Sequence, residues 1–140
     1  MKTVTIEEEL AYPIEEVWAV FADVTRSDWV PAVDSITEAD GVRSFTMEGI
    51  GEVQERIVTL DNASHCLQYS AIKTPTPLEH HLATIKLSAS GAGCHFSWTT
   101  EIAPDEFSAA IEHGMSVSFE GLKQVLAKLQ VQVGEPLVSN

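Results

Sequence analysis

Three side chains of this 140-residue chain combine proton-transfer chemistry with a strand context that could aim them inward: Glu55, Tyr69 and His81. A general acid or base acts only where such groups converge on a reacting atom, so the face each occupies decides its use. Glu55 shares a strand face with Val53 and Ile57. Val58 and Leu60, in the same stretch, have the opposite parity. Alternation therefore leaves Glu55 either inside, its carboxyl pKa raised by desolvation, or in solvent. Tyr69 shares a face with Leu67 and Ala71, and its hydroxyl either orients a ligand or bonds a backbone group in an ordinary core. His81 follows His80 directly. Adjacent strand residues point to opposite faces, so the two imidazoles do not share one ion. No HExxH or other ligand spacing appears, and no metal is expected.

Other signatures are missing. There is no GxGxxG, no P-loop, no GxSxG elbow and no evident base beside Cys66; no cofactor is expected. Cys66 and Cys94 fall on strands separated by a third. That is about 9–10 Å, beyond disulfide reach, so both thiols are expected to be free.

The elements that must position these groups are legible from periodicity. Lys2 to Leu10 alternates as a strand. Pro13 opens a helix in which Ile14, Val17, Trp18 and Phe21 form one stripe, with Glu15 and Glu16 at its positive end. Asp23 to Trp29 is predicted as a second short helical turn, ended by Pro31. From Val33 the pattern becomes short strands. Arg43 to Glu48 puts Phe45 and Met47 on one face, and Gly49-Ile50-Gly51 interrupts it as a bulge or sharp bend would. Glu52 to Leu60 and His65 to Lys73 flank the turn Asp61-Asn62-Ala63-Ser64. Glu79 to Ala89 and Cys94 to Ala103 form a hairpin. If Gly91-Ala92 is its two-residue type II′ turn, Leu87 faces Phe96, Ile85 faces Trp98 and His81 faces Ile102, with His80 and His95 on the wetter face.

After Pro104 the period becomes helical. Phe107, Ile111, Met115, Leu122, Val125 and Leu129 form a stripe over roughly 25 residues, about 35–40 Å, with Gly134 and Pro136 expected to stop it. His113 is expected to be exposed. Gly114 and Ser118 interrupt the apolar face with small residues, which signals either a cavity or close helix–sheet packing. The order β–α–(α)–six β–long α is an α+β arrangement, a bent antiparallel sheet around the long helix, not a parallel doubly wound fold. One domain is expected over residues 1–140.

The chain carries 21 Asp plus Glu against 8 Lys plus Arg, a formal net charge of −13. A field of that sign repels phosphates and anionic headgroups, so neither nucleic-acid binding nor stable membrane insertion is expected. MKTVTIEEEL has no apolar h-region; no secretory signal is expected, and the expected location is the cytoplasm. The patterns do not choose between monomer and homodimer.

The element order and five strings, PIEEVWAVFADV, DWVPAV, GEVQERIVTLD, QYSAIKTPTPL and FSWTTEI, resemble the helix-grip (SRPBCC) superfamily. It includes the START lipid-transfer domains, the birch-pollen-allergen-like proteins and the bacterial polyketide cyclase/dehydrase-like proteins, and the last branch is the most similar. The resemblance implies an internal cavity between sheet and long helix. It implies an inward acidic residue at Glu55, just before Arg56, and an aromatic cavity wall at Tyr69. The cavity-lining set is then Trp29 at the entrance, Phe45, Met47, Glu55, Tyr69, Trp98, Phe107, Ile111, Met115 and Ser118. Three functions fit: a carrier or sensor of a hydrophobic small molecule (lipid, isoprenoid or aromatic polyketide-like), a cyclase or dehydratase using Glu55 with Tyr69 or His81, or a protein-interaction module without a ligand. Fold alone does not decide among them.

Overall fold

In the computed structural model, residues 1–138 are described, with side chains to residue 129. Seven antiparallel strands form one sheet in the order β1-β7-β6-β5-β4-β3-β2. They are β1 (Lys2–Leu10), β2 (Thr37–Ala39), β3 (Val42–Met47), β4 (Gly51–Asp61), β5 (Cys66–Lys73), β6 (His80–Ser90) and β7 (Gly93–Ala103). Helix α1 (Ile14–Ala22) follows β1, and a short 3-10 turn at Asp105–Phe107 leads into the long helix α2 (Ser108–Val138). This is the helix-grip α+β fold.

The β6–β7 hairpin has the register its sequence specifies: Leu87 opposite Phe96, Ile85 opposite Trp98 and His81 opposite Ile102. Gly91 has φ +58° while Ala92 stays in the ordinary negative-φ region, as a type II′ turn requires. On β7 alternation is complete: Cys94, Phe96, Trp98, Thr100 and Ile102 are buried. Against this face pack Val17, Trp18, Val20 and Phe21 of α1 and Met115, Phe119, Leu122 and Leu126 of α2. Cys66 and Cys94 are free, on β5 and β7 with β6 between them.

Four expectations need correction or sharpening. The segment from Asp23 to Trp29 is a run of turns, not a helix. Asp23 Oδ1 accepts from the Thr25 backbone N–H and hydroxyl, and Arg26 forks onto Asp28; such local side-chain bonds compete with a helical ladder. Of the two readings of Gly49-Ile50-Gly51, the sharp bend holds and the bulge does not: Glu48, Gly49 and Ile50 form the turn of a β3–β4 hairpin, and Gly51, opposite Met47, opens β4. Gly134 and Pro136 lie within α2 instead of stopping it, because each subtracts from helix stability without imposing an end. The buried stripe of α2 also includes Phe119 and Leu126; Phe119 stacks on Phe96 with centroids 5.1 Å apart.

The parity conflict on β4 has a physical resolution. Ile57 pairs with Tyr69, but Thr59 pairs with the next residue back, Gln68, so Val58 is an extra residue. This bulge flips the alternation. Before it, Val53 and Glu55 face inward and are buried; after it, Leu60 stands opposite the buried Leu67 but is itself 42% exposed near the strand end. Val58 itself projects outward, 52% exposed.

Candidate functional site

The inner face of the sheet and the first half of α2 do not close on each other. Between them lies a cavity of about 330 Å³, at the lower end of the range for small-molecule sites. Its walls come from four directions. Phe45 and Met47 rise from β3, Glu55 from β4, Tyr69 from β5, His81 from β6 and Trp98 from β7. The 3-10 turn and α2 supply Phe107, Ile111, Met115 and Ser118. The turns after α1 supply Trp29, and the rim includes Ile50 of the β3–β4 turn and Leu78 before β6. A larger groove of about 670 Å³ along β2–β4 is walled by groups such as Asp34, Ser44, Glu48, Gln54 and Lys73. Its polar walls suit water rather than an apolar ligand.

Two glycines set the shape of α2 against this space. At Gly114 an added Cβ meets no atom within 4 Å, whereas at Gly121 it would overlap the Trp29 carbonyl oxygen. Gly114 is thus exposed with open space where a side chain would stand, whereas α2 presses onto the Trp29 segment two turns later. Trp29 is a buried wall instead of an entrance residue, 6% exposed and edge-on to both Phe21 and Trp98. His113 is exposed.

Glu55 is inside and it is not alone. Arg43, opposite it on β3, donates from Nε to Glu55 Oε1 at 2.8 Å, with both side chains about nine-tenths buried. Arg43 also donates to the Val24 carbonyl at 3.1 Å and lies 4.5 Å from the Tyr69 ring centroid. Burial pushes the Glu55 carboxyl above its usual range, against the pull of Arg43. Burial and the nearby Glu55 carboxylate push the Tyr69 phenol upward as well. Sequence reasoning missed Arg43. It has the parity of Phe45 and Met47, and that was the available signal. Arg56, the arginine singled out, lies on the opposite parity to Glu55 and pairs in register with Ser70.

His81 is held in one tautomer. The Ala71 backbone N–H donates to its Nδ1 at 2.9 Å, so the ring proton of the neutral form sits on Nε2. Burial, with His80 beside it, lowers the His81 pKa to about 4. His80 faces out and meets Glu101 at 2.9 Å, and His95 meets Glu9 at 2.8 Å on the same outer face. Among the described residues, no cluster of three or more His, Cys, Asp or Glu is arranged to hold a metal, and no helix is long and apolar enough to cross a membrane.

A family model described as "Polyketide cyclase / dehydrase and lipid transport" matches residues 1–133. The chain belongs to this family. It is a fold and family of hydrophobic-ligand-binding domains. No curated protein matches it significantly by sequence. Solved structures match closely in fold. XoxI from Bacillus cereus superposes with a TM-score of 0.79 at 23% identity, covering 93% of this chain and 99% of its own. Ara h 8.0201 gives 0.74 at 20% identity, with coverage of 91% and 98%. CalU16 from Micromonospora echinospora gives 0.70 at 16%, with coverage of 89% and 73%. At these identities the likeness speaks for fold alone.

Proposed function

We propose that the chain holds a hydrophobic small molecule in the cavity between sheet and α2, as a carrier or sensor. The observation that carries this reading is the cavity itself: about 330 Å³, walled mainly by apolar and aromatic side chains with a few buried polar groups. The predicted lining residues surround one space, which supports assigning them to the ligand.

The cyclase or dehydratase reading is the weaker one, although Glu55, Tyr69 and His81 line the same cavity. Proton abstraction needs a free base of suitable pKa. Glu55 is committed to Arg43. His81 spends Nδ1 on the Ala71 N–H and presents a protonated Nε2. Tyr69 is pushed further from ionisation. These commitments favour holding a ligand over turning it over.

Native mass spectrometry of the purified chain tests the proposal. A co-purifying hydrophobe in one-to-one ratio, absent from a Met115→Trp variant, is the expected result. Finding only the bare chain mass, together with no saturable uptake of an apolar probe, would reject it.

A further inference from the structure

The cavity lining includes hydroxyls at Thr100 and Ser118 and the Glu55 carboxylate, but its one buried polar atom without a partner among the described residues is a donor. Trp98 is 5% exposed and its side chain lines the cavity. Among the described residues, no acceptor reaches its buried Nε1. The fold does not treat Trp18 this way, since its Nε1 donates to Asn62 Oδ1 at 2.9 Å. An indole N–H can only donate, and a buried donor without a partner is disfavoured. The Tyr69 hydroxyl lies close enough to be acted on by the Trp98 N–H, yet it does not complete a hydrogen bond with it.

His81 adds a second donor. Its Nδ1 is occupied by the Ala71 N–H, so Nε2–H is the group left to offer. Tyr69 links the set, with its ring centroid 6.1 Å from that of His81 and 4.5 Å from the Arg43 guanidinium carbon.

Charge narrows the partner further. The lining includes two arginines and one carboxylate. Arg43 is paired with Glu55 at 2.8 Å, and Arg26 with Asp28, outside the lining, at 2.8 Å. Among the described residues, neither arginine of the lining is left unpaired to neutralise an anionic head, and burying an unpaired charge is costly. The net charge of −13 adds the same bias against anions. A pure hydrocarbon, in turn, leaves the Trp98 N–H unpaired.

We infer that the cavity selects hydrophobes whose polar end is an uncharged hydrogen-bond acceptor of ketone or quinone type, and that Trp98 Nε1–H is the donor that receives it. This inference rests on the ligand-binding reading above.

Three probes with one ring system separate the two claims: 2-ethylnaphthalene, 2-acetylnaphthalene and 2-naphthoate, titrated into the full chain and into Trp98→Phe. The phenylalanine keeps an aromatic wall and removes the N–H. Acetylnaphthalene affinity is expected to fall in the variant by about 3- to 10-fold more than ethylnaphthalene affinity does, and naphthoate to bind weakest to the native chain. A ¹⁵N-labelled native sample gives a readout that does not depend on the variant's folding: the Trp98 indole resonance moves downfield with the ketone and not with the hydrocarbon. Equal effects on ketone and hydrocarbon, an unmoved indole resonance, or tightest binding of naphthoate would each overturn the inference and leave the cavity reading standing. Binding of none of the three would reject the cavity reading itself.

Discussion

Arg43 and Glu55 stand opposite each other on adjacent strands and share a 2.8 Å hydrogen bond inside the apolar cavity wall. Each makes the other tolerable there. Taking either charge out of water alone is costly, and the pair is stable only because both ends are occupied. The pair also removes Glu55 from the pool of free acids, which shapes the functional reading more than any other contact.

Removing one partner should therefore hurt far more than removing both. Arg43→Met is expected to destabilise by about 3–5 kcal/mol, and Arg43→Met with Glu55→Leu by much less. Urea denaturation of the two single variants and the double variant measures the coupling. Additive single effects would show that the pair is not a unit.

Acid should weaken the fold through His81. Its folded pKa, about 4, lies below the ordinary 6.5. The unfolded chain then takes up a proton that the folded chain refuses, so stability falls as pH drops from about 6.5 toward 4, by at most about 3 kcal/mol. Glu55 works in the opposite sense, because its raised pKa costs stability as pH rises through the carboxylate range. The exposed His95, raised mainly by its bond to Glu9, likewise loses stabilisation as pH rises. The difference between wild type and His81→Asn isolates the histidine, since asparagine can still accept from the Ala71 N–H. Thermal midpoints recorded across that window should converge as the pH falls.

The two glycines of α2 should respond oppositely to one methyl group. Gly114→Ala meets open space and gains helix propensity, about 0.5–1 kcal/mol. Gly121→Ala drives a Cβ into the Trp29 carbonyl and is expected to cost about 1–3 kcal/mol. Melting temperatures of the two variants provide the comparison. Equal shifts would mean that the helix is free to move off the Trp29 segment.

Met115→Trp should fill cavity space and abolish probe uptake while changing stability by less than about 3 kcal/mol. A larger loss in chemical denaturation would mark the Met115 surroundings as tightly packed core.

What could be read from the sequence depended on how local the deciding physics is. The β6–β7 hairpin was legible pair by pair because apolar parity and the Gly91 turn specify the same register. Met115 and Ile111 were legible as an inner helix face for the same reason. The bulge at Val58 was visible only as a contradiction between two parities, since an extra residue is defined by the partner strand. Arg43 was passed over because a charge reads as surface; the carboxylate that permits its burial lies 12 residues away in sequence. Phe119 stands at i+4 from Met115 and i−3 from Leu122, so the helical period did place it on the buried face; its stacking partner, Phe96 of β7, is what no helical period contains.

Helix α2 is held unevenly along its length. From Phe119 to Leu126 it is locked into the core, while from Ile111 to Ser118 it roofs the cavity. Local opening is easiest where packed contacts are fewest. Amide exchange should consequently be graded along this one helix, fast near Gly114 and slow near Leu122. The residence time of a bound molecule would then be governed by how often the roof lifts, a rate that changes at the Leu122 end could leave untouched.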